Sequence, residues 1–368
     1  MKGKAMAMEV GELEKTVVPP VNRIRMSRPG DWHRHLRQGQ DILRHLVRES
    51  LLFEHVLVMP NTKPALTTGP AVLAYREEIQ NAIPEGREQP ISIWMTQYLT
   101  DNTLPQDVRF AKDTGFVLAF KYYPAGATTN SDSGVTALER TYSALAAMER
   151  EDVVLSVHGE VTDAGVDVYD RERIFVERHA TQIVRDFPGL RIVLEHITTS
   201  EAAAFVRESG PNVAATITPQ HARYSRNALL VGGIRPHWYC LPVLKREAHR
   251  QALVTAATSG NPKFFMGTDS APHERGDKEA ACGCAGCYTT DRTALALYAE
   301  VFEEAGALDK LGGFTSIHGA DFYRVPRGLE SITLQRAPFK VPSWYPLGAN
   351  GTVVPLCAGK TLQWRVEA

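Results

Sequence analysis

Two histidines separated by a single residue, His33 and His35, stand near the start of the chain in the segment DWHRHLR. Side chains alternate between the two faces of a β-strand, so both imidazoles would project from the same side of an extended segment. Two neutral imidazoles on one side can bind one metal ion together. Histidine pairs are also common on protein surfaces, so the meaning of this pair depends on which residues join it.

Four further residues that could serve such a site each follow a short apolar run. Lys121 follows FVLAF, His158 follows VVLSV, His196 follows RIVLE, and Asp269 follows KFFMG and a threonine. A single histidine after a strand is usually a packed or capping residue. Six polar positions after five separate runs instead predict one shared site, and imidazole and carboxylate ligands suit Zn²⁺.

The runs before these residues belong to a series of eight β-rich segments. They are predicted at 22–26, 55–59, 91–98, 116–120, 153–157, 191–195, 213–218 and 263–267. Near-continuous apolar runs of this kind are typical of parallel strands that helices cover on the outside. The segment 22–26 would lead directly into the histidine pair.

Amphipathic helical patterns separate most of these segments, with predicted helices at 71–83, 135–148 (with Ser133 as N-cap) and 173–187. Alternating strands and helices over this length predict an α/β fold, a (β/α)8 TIM barrel. The ligand-type residues then fall at the C-terminal ends of the strands, where such barrels build active sites. We expect residues 21–368 to form one barrel domain with a small appended β segment, including a strand at 361–366, and residues 1–20 to form a flexible extension.

Charge and hydropathy exclude several classes of partner. The 41 basic and 42 acidic residues leave no excess positive charge for binding nucleic acid or an anionic membrane. No apolar run approaches the roughly 20 residues of a membrane span. The first 20 residues lack the apolar core of a secretion signal, so a cytoplasmic location is expected.

Lys121 permits two interpretations at the end of the fourth run. An ammonium there would repel cations, and the lysine would then bind substrate beside the metal. Alternatively, burial lowers its pKa and frees the amine, which can take up carbon dioxide to form a carbamate. The two oxygens of a carbamate can bridge two zinc ions. The residues alone leave both interpretations open.

Two metal ions about 3.5–4 Å apart would activate a bridging water and polarise a carbonyl group. Asp269 would take the proton from that water and pass it to a leaving nitrogen. The predicted reaction is metal-assisted hydrolysis of an amide-like bond, or its reversal. Arg37 and Asn61 follow the first two strands on the same rim, and His273 lies four residues past Asp269. A guanidinium there suits a planar carboxylate on the substrate.

Three of the five cysteines, Cys282, Cys284 and Cys287, are crowded into the segment CGCAGC. This spacing can bind a structural zinc ion, with Cys240 or His273 as the fourth ligand. The simpler interpretation, which we favour, is a tight glycine-rich loop near the site whose thiols pack as small apolar groups.

Taken together, these segments resemble the dihydroorotases, in the shorter class found in many bacteria within the amidohydrolase superfamily. The resemblance extends from about residue 21 to near the C-terminus. It rests on DWHRHLR, VMPNTKP, KYYPAGATTNS, VHGEVTD, EHITT, ATITPQH, GGIRPHWYCLPVLKR, GTDSAPH and CGCAGC. It implies reversible zinc-dependent cyclisation of N-carbamoyl-L-aspartate to L-dihydroorotate in pyrimidine biosynthesis, with a bridging hydroxide as nucleophile and Asp269 as general acid–base.

The resemblance also implies roles for individual residues, two Zn²⁺ per subunit and a homodimer. One zinc would be bound by His33, His35, carboxylated Lys121 and Asp269, and the other by the same carboxylysine, His158 and His196. The substrate carboxylate would contact Arg37, Asn61 and His273, and the pyrimidine ring would contact backbone at Leu241 and Ala285. A mobile loop at 124–131 would close on the substrate through Thr128 and Thr129.

Two positions depart from the family pattern. Gln38 stands where relatives have aspartate, and Gly126 stands where relatives often have asparagine in the loop, so we expect a changed turn contact and a looser closure. Two alternative functions are another cyclic amidohydrolase, such as a hydantoinase or dihydropyrimidinase, and a non-catalytic scaffold. Arg37 and Asn61 favour a carboxylate-bearing substrate over the first alternative, and the retained ligand set opposes the second.

Overall fold

Eight parallel strands whose spatial order follows the chain form the central sheet of the computed structural model, which describes residues 21–86, 89–281 and 283–367. The flexible extension predicted for residues 1–20 lies outside the described residues. The barrel strands are β2 Gly30–Arg34, β3 His55–Val58, β4 Ser92–Leu99, β5 Val117–Tyr122, β6 Val154–Val157, β7 Ile192–Leu194, β8 Val213–Ile217 and β9 Phe264–Met266.

The last barrel strand meets the first at their C-terminal ends. The backbone N–H of Asp269 donates to the carbonyl of His33 at 2.8 Å, and that of His35 donates to the carbonyl of Ser270 at 3.0 Å. A parallel bridge also joins Arg34 to Ser270. The predicted (β/α)8 barrel is therefore confirmed, and the seam brings the histidine pair beside Asp269.

The first predicted strand is wrong as a barrel strand. β1, Arg23–Ser27, pairs antiparallel with β10, Ser331–Lys340, in a separate sheet. The alternation of exposed and buried residues in β1 suits such a half-buried sheet, whereas β2 is buried throughout. Because most residues of β2 are polar, the strand does not form an apolar run in the sequence.

Asp31 shows why a polar strand can occupy this position. Its carboxylate accepts hydrogen bonds from the backbone N–H of Thr268 at 2.8 Å and from the Thr268 hydroxyl at 2.6 Å. It also pairs with the guanidinium of Arg34 at 3.2 Å. Buried polar groups are tolerated when their hydrogen bonds are satisfied, and these bonds tie β2 to the segment after β9. The other seven predicted strands are confirmed, with boundaries that differ by at most two residues.

Helices cover the outside of the barrel. The longer ones are Gln40–Arg48, Gly69–Gln80, Pro105–Asp113, Tyr142–Glu151, Ser200–Glu208, Glu247–Thr258 and Asp291–Glu304. Arg171–Phe175 continues through a π-helical turn, Val176–Ala180, into Thr181–Asp186. The shorter helices are Pro219–Arg223, Asn227–Leu230, Arg275–Glu279 and His318–Tyr323. Single 3₁₀ turns lie at Leu138–Thr141, Pro236–Trp238 and Leu308–Lys310, and a second π-helical turn at Gly313–Ile317.

Two of the three predicted helices agree with the structure to within three residues at each end, and the third begins later than predicted. The helix predicted at 71–83 begins at Gly69, where the Thr68 hydroxyl accepts from the backbone of Ala71. The helix predicted at 135–148 begins only at Tyr142, after a 3₁₀ turn, so Ser133 is not its N-cap. The segment 134–137 instead packs against the loop after β5, where the N–H of Val135 donates to the carbonyl of Tyr123 at 2.8 Å.

The N-terminal end of the barrel is closed by large rings. Trp32 stacks on Tyr323 with ring centroids 4.9 Å apart, and Phe265 contacts the same tyrosine at 6.1 Å. Tyr323 comes from the short helix His318–Tyr323. This filled end leaves the opposite, C-terminal end of the barrel for polar groups.

The C-terminal part of the chain adds small antiparallel sheets. β10 lies between β1 and β13, Thr361–Val366, and β11, Tyr345–Leu347, pairs with β12, Gly351–Val353. The strand predicted at 361–366 is therefore confirmed as an edge strand. Within the described ranges, no helix is long and apolar enough to cross a membrane.

Candidate metal and substrate site

A cavity opens at the C-terminal ends of the barrel strands. It is lined by His33, His35, Arg37, Asn61, Tyr123, Thr128, Thr129, His158, His196, Leu241, Asp269, Ala271, His273, Ala285 and Gly286. Twelve of the thirteen site residues predicted from the sequence are in this lining. The thirteenth, Lys121, is fully buried beside it. The structure thus brings the predicted residues to one place, while the role of each stays a prediction.

Asp269 contacts both histidines of the His33–His35 pair. Its Oδ1 lies 3.0 Å from Nε2 of His35 and 3.5 Å from Nε2 of His33. The ligand atoms of these three buried residues all lie within 4.8 Å of one another. We call His33, His35 and Asp269 the first ligand set.

The outer nitrogens of both imidazoles are already engaged. Nδ1 of His33 donates to Oε2 of Glu195 at 2.8 Å, and Nδ1 of His35 donates to Oδ1 of Asn61 at 2.7 Å. Burial lowers the pKa of both histidines, most strongly that of His33, which favours neutral rings.

In neutral rings that donate through Nδ1, the Nε2 lone pairs face the Asp269 carboxylate. Electron-rich atoms at such distances repel one another unless a cation or a proton lies between them. The donor set therefore fits a metal ion, and the Nδ1 partners hold the tautomer that a metal ligand requires.

Two side chains that line the cavity follow strand ends with unusual backbone conformations. His196 and Asp269 adopt left-handed φ values of 41° and 47°. Such φ values are uncommon outside glycine and cluster at functional sites. Gly267 permits close packing just below, because a Cβ there would come within 2.9 Å of His33 and Thr216 side chains.

His158 and His196 form a second ligand set on the neighbouring strands. Their ring centroids lie 4.9 Å apart, and the His196 ring lies equally far from that of His33. Nε2 of His158 is 2.8 Å from Oε2 of Glu160, which leaves Nδ1 for a ligand. Nδ1 of His196 has no hydrogen-bond partner among the described residues. Two imidazoles alone make an incomplete site for zinc, which usually takes three or four protein ligands.

Lys121 is the remaining group at the end of β5. Its side chain is fully buried, and its Nζ has no hydrogen-bond partner in the described part of the chain. Burial lowers the pKa of its ammonium to about 8, against the opposing attraction of Glu195 and Asp269. A larger fraction of neutral amine near pH 7 is what uptake of carbon dioxide requires, and a buried unpaired ammonium is costly.

Two carboxylates in this site, Glu195 and Glu160, had no role in the sequence prediction. Glu195 accepts hydrogen bonds from His33, from the Ser156 hydroxyl at 2.6 Å and from the Thr216 hydroxyl at 2.6 Å. Burial raises the pKa of the Glu195 carboxyl, and the attraction of Lys121 and the hydrogen bonds from Ser156 and Thr216 oppose that effect. Both acids stand one or two residues from a predicted histidine ligand, and this spacing was the available signal. Carboxylates behind ligand histidines fix the orientation of the ring.

The opposite end of the cavity is basic. Nε of Arg37 donates to the carbonyl of Pro272 at 2.8 Å, and its Nη2 lies 3.2 Å from Nε2 of His273. Burial, together with the charges of Arg37 and Lys278, lowers the pKa of His273 to about 3, so this imidazole is neutral near pH 7. A fixed guanidinium beside a neutral imidazole suits a carboxylate ligand.

The predicted mobile loop lies against the cavity. The Thr129 hydroxyl donates to the carbonyl of Ala285 at 3.3 Å, and the amide of Asn61 donates to the carbonyl of Thr129 at 3.2 Å. The Asn130 side chain donates back to the carbonyl of Asn61 at 3.0 Å. Gly126 has a φ of 75°, a conformation that glycine adopts without strain and that asparagine tolerates best among other residues.

Gln38, the other position at which a departure from the family is expected from the sequence, makes a turn contact. Its Oε1 accepts a hydrogen bond from the backbone N–H of Lys63 at 3.1 Å. Gln38 therefore links the segment after β2 to the segment after β3, two residues beyond Asn61.

The cysteine-rich loop shows no metal cluster among the residues that the structure describes, and Cys282 is not one of these. Buried Cys240 lies 3.6 Å from Nε2 of His221 and contacts the carbonyl of Pro242. Buried Cys287 also packs in the core. Within the segment, the burial of Cys287 agrees with the interpretation that its thiol packs as a small apolar group.

Comparison with known proteins gives consistent relatives, although no family model matches the chain. The dihydroorotase of Nitrosococcus oceani is 52% identical over 347 residues, which cover 94% of this chain and 99% of the relative. That of Shewanella amazonensis is 54% identical over 348 residues, which cover 94% of this chain and 100% of the relative.

Solved structures agree with the sequence relatives. The dihydroorotase of Saccharomyces cerevisiae in complex with 5-fluoroorotic acid is 31% identical, with a TM-score of 0.85 over 94% of this chain and 99% of that one. That of Campylobacter jejuni is 30% identical, with a TM-score of 0.85 over 96% and 100%. The L-hydantoinase of Arthrobacter aurescens, at 15% identity and a TM-score of 0.73, shares the fold. The chain belongs to the dihydroorotase family.

Proposed function

We propose that the chain is a dihydroorotase that interconverts N-carbamoyl-L-aspartate and L-dihydroorotate in pyrimidine biosynthesis. The observation that carries this proposal is one cavity with two distinct ends. One end holds the imidazoles and Asp269, and the other holds Arg37 and His273. A cyclic amide with a carboxylate substituent matches this division, and relatives of this identity over nearly the whole chain bear the same name.

We propose two Zn²⁺ ions, one bound by the first ligand set and one by His158 and His196, with carboxylated Lys121 shared between them. The first ligand set supports a metal ion by its convergent atoms, and the buried amine of Lys121 supports the carbamate. Zinc bound here would act as a Lewis acid on the amide carbonyl and would activate water.

The protein's own groups would supply the proton transfer. Asp269 would take up a proton and deliver it to the ring nitrogen that leaves when the amide bond breaks, and would reverse this in ring closure. Burial raises the pKa of the Asp269 carboxyl, but its contacts with the imidazoles of His35 and His33 and the attraction of Lys121 hold that pKa below its usual value. Asp269 therefore starts as a carboxylate that can accept a proton.

The remaining residues would bind and enclose the substrate. We assign the substrate carboxylate to Arg37, Asn61 and His273, and the ring to backbone groups at Leu241 and Ala285. Thr128 and Thr129 of the docked loop would exclude water and contact the substrate. The hydrogen bonds of Asn61 to His35 and Thr129 support a second task for this residue, linking ligand to loop.

A substrate comparison tests this function against a hydantoinase or dihydropyrimidinase. Purified protein would be assayed with L-dihydroorotate, hydantoin and dihydrouracil. All three contain a cyclic amide, but only dihydroorotate carries a carboxylate. We expect turnover of dihydroorotate and at least about 100-fold lower kcat/KM for the other two, since unpaired buried donors penalise a missing group. Preference for hydantoin or dihydrouracil would contradict the proposal.

We further propose a homodimer in the cytoplasm, with residues 1–20 as an extension outside a barrel domain of residues 21–368. The family identity supports the first two statements. Sedimentation of the full chain and of a chain lacking residues 1–20 would test the assembly, and equal activity of both would support the domain boundary.

A further inference from the structure

Lys278 is a buried lysine whose ammonium donates its hydrogen bonds to backbone carbonyls and lies over the ring of Tyr239. Its Nζ donates to the carbonyls of Tyr239 at 2.8 Å, Cys284 at 2.6 Å and Gly286 at 2.8 Å. The residue is 4% exposed. All three protons of the ammonium therefore have an acceptor, so the head group is fixed in place.

These three carbonyls belong to the two segments that line the ring end of the cavity. Tyr239 lies two residues before Leu241, and Cys284 and Gly286 flank Ala285. The N–H of Gly286 also donates to the carbonyl of Tyr239 at 3.0 Å. One side chain thus joins the Leu241 segment to the Ala285 segment from behind the cavity.

The Ala285 segment has little freedom to shift by itself. Gly286 has a φ of 149°, and a Cβ at this position would lie 2.8 Å from Cβ of Ala271. The Thr129 hydroxyl of the loop donates to the carbonyl of Ala285. The contacts that fix the position of Ala285 therefore also fix the position at which the loop 124–131 docks.

The charge of Lys278 is a second consequence of its position. Three neutral carbonyls leave the side chain with a net positive charge close to the cavity. This charge is one of the causes that lower the pKa of His273, after burial and Arg37. A positive charge in a medium of low dielectric attracts an anionic ligand over several ångströms.

We propose that Lys278 is a positioning residue that sets the affinity for the ring substrate, by fixing the backbone at Leu241 and Ala285 and by adding positive charge behind it. This inference rests on the proposed function. It assigns substrate affinity to a residue that is absent from the lining of the cavity and lies in the short helix Arg275–Glu279.

The test compares Lys278→Met with a matched control, Lys263→Met. Lys263 also donates to three backbone carbonyls, those of Val206, Arg207 and Ser209, but at the N-terminal start of β9. Both substitutions remove one ammonium and three hydrogen bonds. For Lys278→Met we expect KM for dihydroorotate and Kd for 5-fluoroorotate to rise about tenfold, which corresponds to about 1.4 kcal/mol. We expect kcat to fall less and the zinc content to stay unchanged.

Lys263→Met should lower the unfolding temperature while leaving KM and Kd unchanged. Equal KM and Kd in Lys278→Met and wild type, or the same KM change in both variants, would overturn the inference. If Lys278→Met does not fold, Lys278→Arg gives the decision, because a planar guanidinium cannot reproduce three contacts made by an ammonium. A raised KM then supports the inference and an unchanged KM contradicts it. Wild type that fails to turn over dihydroorotate would refute the proposed function instead.

Discussion

The two ligand sets of this barrel differ in how much of a metal site the protein supplies by itself. In the first, two imidazoles and a carboxylate converge on one point, and each imidazole is oriented by a partner on its far side. In the second, His158 and His196 lie close together, and no carboxylate of the described residues completes a cluster with them. Lys121 is buried near histidines of both sets, and its amine has no hydrogen-bond partner among the described residues.

This difference suggests a division of labour. The first set is organised by hydrogen bonds between strands. It should therefore bind a metal ion whether or not Lys121 is carboxylated. The second depends on a chemical change at Lys121, so its occupancy should follow the availability of carbon dioxide. Substitutions that affect only one set can therefore separate the two sites.

The largest effect is expected from Asp269→Asn, which keeps the volume of the side chain but removes its capacity to accept a proton. We expect kcat to fall by about 10³-fold or more, within the range for loss of a general acid–base. The second set should still take up metal. Metal analysis and steady-state kinetics on the same preparation check both statements, and near-normal kcat in the metal-loaded variant would refute the assigned role.

A somewhat smaller effect is expected from Lys121→Ala. The first set should retain metal while the second loses it, so the zinc content should fall by about half, and turnover should fall at least about 100-fold. Short carboxylic acids should restore part of the activity by occupying the space of the carbamate. A variant that binds as much zinc as wild type without added acid would show that Lys121 is not the bridge.

Glu195→Gln and Glu160→Gln probe the orienting carboxylates, one behind each set. Each change should weaken metal binding about 10- to 100-fold, since a ligand histidine loses the partner that fixes its tautomer. Competition with a chelator would measure this. The two variants should also lose different ions. Glu160→Gln should release the ion of the second set, as Lys121→Ala does, whereas Glu195→Gln should release the ion of the first set. The same ion lost in both variants would contradict the separation into two sets.

The smallest effect concerns an imidazole outside both sets, His221. Burial lowers its pKa from 6.5 to about 4, and its ring contacts the Thr218 hydroxyl and the carbonyl of Pro242. Between these pH values the unfolded chain binds a proton that the folded protein does not. Stability from this residue is therefore full above pH 6.5 and falls as the pH is lowered towards 4.

The measurement for His221 is the free energy of unfolding in urea at pH 7 and pH 5. Wild type should lose about 2 kcal/mol more than His221→Gln over this interval. The other buried histidines contribute equally to both proteins and cancel in the difference. The same pH dependence in both proteins would mean that burial alone does not depress a histidine pKa in this barrel.

The sequence predicted the fold and the site residues more completely than their supporting contacts. Lys121, His158, His196 and Asp269 were recognisable because a polar residue after an apolar run in a parallel barrel falls at the end where active sites form. The first barrel strand was misplaced because its sequence, GDWHR, is polar yet fully buried. Its burial depends on hydrogen bonds to Thr268, more than 230 residues later, which no local pattern can reveal.

Which histidine each partner holds could not be predicted for the same reason, since Glu195 stands beside His196 in the sequence but contacts His33. Glu195 holds His33 together with Ser156 and Thr216, so the contact joins residues from four strand ends. The start of the helix predicted at 135–148 was wrong because packing against the segment after β5 outweighed the local helical pattern. Local pattern identifies which residues reach the site, and tertiary packing decides how each is held.

The most direct test of this account is zinc content and dihydroorotate hydrolysis measured on one preparation of the full chain, before and after removal of metal with a chelator. The account predicts about two zinc ions per chain, ring opening that disappears with the metal, and recovery when zinc and bicarbonate are returned. Full activity in the metal-free protein, or zinc binding without any turnover of dihydroorotate, would contradict it.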